Sequence, residues 1–117
     1  MLAGKLNLKI QQHSTFRKKF TWKDGRGRPV NLTGWSAKLQ MRTAPGETVL
    51  LEMSSPSNGI TVGANGVINL YLTDEQTGAI QWSSASYDLV LANPDGEEWR
   101  LVEGRVTVSP SITRPTE

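Results

Sequence analysis

TFRKKFTWKDGRGRPVNLTGW, residues 15–35, can be read in two ways. Taken as a line, it threads cations (Arg17, Lys18, Lys19, Lys23, Arg26, Arg28) between rings (Phe16, Phe20, Trp22, Trp35), the mixture found on platforms for single-stranded nucleic acid. Taken with the period of a β-strand, it separates into two faces. Phe16, Lys18, Phe20 and Trp22 fall on one side, and Arg17, Lys19 and Thr21 on the other. A nucleic-acid groove needs rings and cations on the same exposed face. Here the rings point toward a core and most of the cations toward water. Lys18 alone breaks the pattern, and its long stem can snorkel at a sheet edge, where lysines also discourage stray strand pairing. KDGRGRP then interrupts the chain with two glycines and a proline. The stretch therefore reads as a half-buried strand followed by a long hairpin connection.

The same period extends in both directions. KLNLKI alternates Leu6, Leu8 and Ile10 against Lys5, Asn7 and Lys9. SAKLQMRT alternates Ala37, Leu39 and Met41 against Lys38, Gln40 and Arg42, and TVLLEMS places Val49, Leu51 and Met53 on one face. APGE, SPSNG and GANG supply turns, the last an Asn-Gly hairpin signal. VINLYLT alternates Ile68, Leu70 and Leu72 against Asn69 and Tyr71. Thr73 and Gln76 have the spacing of a capping box, which predicts one helical turn bridging two sheets. SYDLVLAN alternates again, NPDG turns, and EEWRLVEGRVTVS changes parity between Trp99–Leu101 and Val106–Val108. That change predicts a β-bulge at Glu103–Gly104. The fold class is an all-β antiparallel sandwich of seven to nine short strands with one helical turn, an up-and-down barrel being the alternative architecture. Residues 1–110 are assigned to one domain and 111–117 to a polar C-terminal tail.

A chain of 117 residues suits one modest core, and 37% hydrophobic content is enough if the strands share an interior. Net charge is +2, but it is unevenly distributed. Residues 1–30 carry eight Lys/Arg against one acid, Asp24, and the rest carry five against ten. Such asymmetry can steer partners or organise head-to-tail assembly. The sequence contains no cysteine, which removes thiol catalysis, Cys-based zinc sites and an inter-sheet disulfide. MLAGKLNLKI lacks an apolar run with a cleavage-like site, and no segment approaches a membrane span, so folding in a cytoplasm is expected.

No catalytic constellation emerges. The one histidine, His13, lies in a polar linker and reads as solvated. Asp74–Glu75, Asp95–Glu97–Glu98 and Glu52 fall at turns or outward positions, where carboxylates are solvated rather than paired for glycoside hydrolysis. GRGRP and GANG do not lead from a strand into a long helix and form no phosphate cradle. NPDGEE is explained as a hairpin turn and lacks calcium-loop spacing. Of the four tryptophans, Trp82 follows the helical turn, where it could stack on a sugar, plug a partner's pocket or close the end of the sandwich.

Residues 13–112 resemble a specific group of proteins, small bacteriophage virion proteins and the amino-terminal domain of phage baseplate upper proteins. The resemblance rests on a strand ending in Phe20 and Trp22, followed by Asp24, Gly25, Pro29, Val30, Leu32, Thr33, Gly34 and Trp35 in the pattern D-G-x-P-V-x-L-T-G-[YW] with a longer turn. It continues through VLLEMSS, NGITVGANGVINLYLT and YDLVLANPDGEEWRLVEGRVTVSP in the same order. The resemblance implies an immunoglobulin (Ig)-like sandwich without enzymatic activity or cofactor, made in a bacterial cytoplasm and assembled into a virion. Its expected role is an adaptor or ring module of the tail, baseplate or neck. The sequence shows no coiled-coil or receptor-binding extension like those of the larger baseplate proteins, so an adaptor, collar or decoration role is expected rather than that of a direct adhesin. Alternatives are a capsid decoration protein of the same fold and a carbohydrate-binding module using Trp82 or Tyr71. The expected partners are other virion proteins and further copies of the chain in a ring or other homo-oligomer, with neither nucleic acid nor membrane. Outward charge and ring type nominate Arg17, Lys19, Arg26, Arg28, Trp82, Glu97 and Glu98 as interface residues.

Overall fold

Period-two alternation is visible along most strands of the structure, a computed structural model that describes residues 4–44, 46–55 and 57–110. The strands are β1 (Gly4–Lys5), β2 (Leu8–Gln11), β3 (Phe16–Thr21), β4 (Ser36–Arg42), β5 (Val49–Ser54), β6 (Ile60–Val62), β7 (Val67–Leu72), β8 (Ser84–Ala92) and β9 (Glu98–Ser109). A single helical turn, α1 (Asp74–Gly78), lies between β7 and β8. The larger sheet runs β1-β9-β8-β4-β5, with β2 also on β9, and the smaller runs β3-β7-β6. β1 and β2 are parallel to β9, and every other named pair is antiparallel. The described residues thus form a two-sheet sandwich, with the tail 111–117 outside them.

The inward faces meet in one core. The larger sheet supplies Ile10, Leu39, Met41, Leu89, Leu91 and Val106, and the smaller Phe16, Ile60, Ile68, Leu70 and Leu72. Each side chain buried this fully stabilises the fold by about 1.5–3 kcal/mol before conformational entropy is counted. In a chain without cysteine, apolar packing takes the place of an inter-sheet disulfide. The capping box forms as expected, with the Gln76 amide donating to Thr73 Oγ1 at 3.1 Å and the Thr73 amide to Gln76 Oε1 at 2.8 Å. The Asn-Gly hairpin joins β6 to β7. Gly66 has φ +77° there, and an added Cβ would run into the Trp22 carbonyl.

Two local expectations are corrected. KLNLKI is not one strand: β1 stops at Lys5, β2 resumes at Leu8, and Leu6 is 37% exposed rather than inward. Between them the backbone steps off the ladder. The Arg105 amide is satisfied by Asn7 Oδ1 at 3.1 Å, and the Leu6 carbonyl accepts from the Tyr87 hydroxyl. The bulge in β9 lies at Leu101, not at Glu103–Gly104. Leu89 faces Val102 while Val90 faces Arg100, so Leu101 is the extra residue. The displacement lets two consecutive apolar residues, Leu101 and Val102, both turn inward. Gly104 has a different role. Leu6 passes so close that a Cβ at position 104 would collide with its carbonyl.

Candidate functional site

On β3 the alternation presents Arg17 and Lys19 on the outer face of the smaller sheet, opposite Tyr71 and Asn69 of β7. The Arg17 guanidinium lies over the Tyr71 ring, 4.6 Å from its centroid, and Tyr71 is 38% exposed. Cation–π attraction at such an open position contributes about 0.5–1 kcal/mol and fixes the direction of an otherwise mobile cation. A shallow open groove beside this pair is lined by Lys19, Thr61, Asn69 and Ser57. Among the described residues, neither Arg17 nor Lys19 has an ion-pair partner. The sequence signalled both halves of the pair as outward but could not give the register joining two distant strands.

Arg26 and Arg28 occupy the long connection between β3 and β4, Glu97 the β8–β9 turn and Glu98 the first position of β9. Both connections lie at one end of the sandwich. Each is built on a side-chain acceptor: Asp24 Oδ1 takes the Arg26 and Arg28 amides at 2.8 and 3.0 Å, and Asn93 Oδ1 takes the Asp95 and Glu97 amides at 3.1 and 2.8 Å. Three tryptophans from the two connections and their flanking strands meet there. Trp22 and Trp35 are T-shaped at 5.4 Å, and Trp35 and Trp99 lie 5.3 Å apart at a tilt of 31°. The cluster welds the loops to the core, and Trp35 and Trp99 remain half-buried. The buried Trp22 Nε1 has no hydrogen-bond partner among the described residues. The early basic and late acidic segments therefore do not mark opposite poles, because Arg26 and Arg28 share an end with Glu97 and Glu98.

Trp82 follows α1 at the other end, half-buried against the core. His13 lies in the β2–β3 turn with φ 62° and is half-buried rather than solvated, its ring set so close to Gly78 that a Cβ there would displace it. Thr77, fully buried, ties this turn to α1, its hydroxyl donating to the Ser14 carbonyl at 2.8 Å and accepting from the Ser14 amide at 3.1 Å. The seven nominated residues thus occupy three separate places: a strand face, the tryptophan end and the helix end.

The outer face of the larger sheet adds a network that composition did not reveal. Arg100 reaches Asp88 at 3.5 Å and Glu103 at 3.7 Å, and Gln40 donates to Glu52 at 2.6 Å. Its depression, lined by Arg42, Asp88, Arg100, Glu103 and Arg105, is open and shallow. Burial pushes the Tyr87 hydroxyl up to about 12, so it is a neutral hydrogen-bond donor at ordinary pH. Among the described residues, no group of three or more His, Asp or Glu is placed to hold a metal ion, and no helix is long and apolar enough to cross a membrane.

No protein-family model matches the chain, and no characterised protein matches it in sequence. Among solved structures it is similar to the extracellular domain of the voltage-gated sodium channel β4 subunit, with 13% identity over 96% of this chain and 97% of that one and a TM-score of 0.51. Those domains form parallel homodimers that explain a role in cell–cell adhesion. The chain is also similar to a chicken T-cell receptor, with 14% identity over 97% of this chain and 57% of the other and a TM-score of 0.59. Likeness at these identities defines the fold: an Ig-like β-sandwich of two sheets with one short helix.

Proposed function

We propose that the chain is a non-enzymatic structural protein of a bacteriophage virion, a small adaptor or ring module of the tail, baseplate or neck that acts through protein–protein contacts. The observation that carries this reading is the dispersal of its contact-type side chains. Arg17 and Lys19 stand on one strand face without an ion-pair partner among the described residues, Arg26, Arg28, Glu97 and Glu98 at the tryptophan end, and Asp74 and Glu75 on α1 at the other end. A single small ligand needs convergent groups in a concavity. A subunit with several neighbours needs complementary patches on different sides, as in a heterologous ring contact. The order and spacing of the motifs behind the phage resemblance support the same reading. The homodimers of the sodium channel domain provide a precedent for association through this fold.

Quantitative mass spectrometry of purified particles tests the proposal. A few copies per particle are expected. Abundance near that of the capsid protein would transfer the chain to the decoration reading, and absence from particles would overturn both. Reversing Arg17 and Lys19 to glutamate is expected to reduce incorporation while leaving the fold intact. The glycan alternative is tested by binding before and after Trp82→Ala.

A further inference from the structure

β3 is the terminal strand of the smaller sheet. Among the described residues its only strand partner is β7, because β1 and β2 both run parallel to β9 in the other sheet. In Ig sandwiches of the constant type this sheet has four strands, A, B, E and D. Here the place beside the second of them is open. The hydrogen-bond parity shows what that edge offers. The Tyr71 amide donates to the Gly59 carbonyl at 2.8 Å and the Val67 carbonyl accepts from Gly63 at 3.0 Å, so residues 67, 69 and 71 turn their backbone groups toward β6. Their register partners Thr21, Lys19 and Arg17 must turn theirs away from β7, to the free side. The side chains of Arg17 and Lys19 stand on the outer face of that same edge. Lys18 and Lys9 line the gap between β3 and β2, and none of these four cations has an ion-pair partner among the described residues.

We infer that the free edge of β3 is a docking site for an extended acidic strand of another protein, which joins the smaller sheet by backbone hydrogen bonds to Arg17, Lys19 and Thr21. The geometry sets the sequence of the occupant. Residues beside Arg17 and Lys19 point outward and carry carboxylates, and the alternate residues, beside Phe16 and Phe20, point toward the gap between the sheets and are apolar. A second copy paired through β3 is excluded by charge, since it would set Arg17 and Lys19 against the same cations. The chain's own residues 111–117, SITRPTE, have one acid, one arginine and no such alternation. The lysines that block self-pairing at an exposed edge thereby select an oppositely charged partner. The inference does not depend on which particle, if any, carries the chain.

Amide hydrogen exchange of the isotopically labelled chain tests it, with two short synthetic peptides as probes, one alternating glutamate with valine and the other lysine with valine. With the acidic peptide at about ten times its Kd, exchange at Arg17, Lys19 and Thr21 should slow about tenfold, with no slowing from the lysine peptide. The double variant Arg17→Glu/Lys19→Glu should exchange these preferences. Equal protection by both peptides, protection confined to β2, β5 or β6, or no protection at these amides would each overturn the inference. In the last case the cations only guard the edge.

Discussion

The Tyr87 hydroxyl donates to the Leu6 carbonyl at 2.5 Å, joining residues 81 apart in sequence. The bond occurs where the first strand leaves its ladder, so it satisfies a carbonyl that β9 no longer pairs. Its donor is buried, which raises the phenol from its ordinary value of 10.0 to about 12. A group whose folded pKa lies above its unfolded one adds stability that is complete below pH 10 and lost as pH rises toward 12. Denaturation followed across that window should therefore show stability falling. Tyr87→Phe should remove the phenol-specific part of the fall, at a cost of about 0.5–1.5 kcal/mol at neutral pH.

Thr77 holds the helix end together through one hydroxyl. It bonds both backbone groups of Ser14, and the side chain has no exposure. Thr77→Val keeps the shape and removes the hydroxyl, leaving the Ser14 carbonyl without its donor while the Ser14 amide keeps only its 3.3 Å bond to the Gln11 carbonyl. The expected loss is about 1–3 kcal/mol in urea denaturation. Thr77→Ser, which keeps the hydroxyl, should recover most of it.

Gly104 and Gly25 should respond differently to the same methyl group. A Cβ at Gly104 meets the Leu6 carbonyl, whereas one at Gly25 meets nothing within 4 Å. Gly104→Ala should push the Leu6 segment off β9, lowering stability by about 1–3 kcal/mol and speeding amide exchange in β1. Gly25→Ala should stay within about 0.5 kcal/mol of the parent chain. Equal effects would mean that the close approach at Gly104 does not constrain the fold.

Most of the sandwich was legible because alternation is local. The faces of β3, β4, β7 and β8 follow from their own residues, and the Thr73–Gln76 box from its spacing. What escaped depends on pairing between distant segments. Leu6 looks inward by parity, yet Asn7 bonding to Arg105, 98 residues away, turns the chain off that pattern. The parity change in β9 was visible, but only the partner strand locates the extra residue at Leu101. His13 reads as a solvated polar residue until Gly78 provides the surface it packs on. The nominated residues carry their charge or ring type in the sequence itself. Their division among three places is a property of the topology.

Asp88 and Glu103 are register partners on β8 and β9, so two carboxylates face each other with Arg100 reaching both. Arg100 is exposed and the two carboxylates are half-buried but open to solvent, so each ion pair alone is worth little. Removing the cation does more than remove attraction, because it leaves like charges directly opposite across the strands. Arg100→Ala should therefore destabilise by up to about 1 kcal/mol at low salt, and the loss should shrink as ionic strength approaches 1 M. Adding Asp88→Asn should restore stability toward the parent value, since one member of the repelling pair is then neutral. If the double variant were no more stable than Arg100→Ala alone, Arg100 would be acting through its packing rather than by screening the two acids.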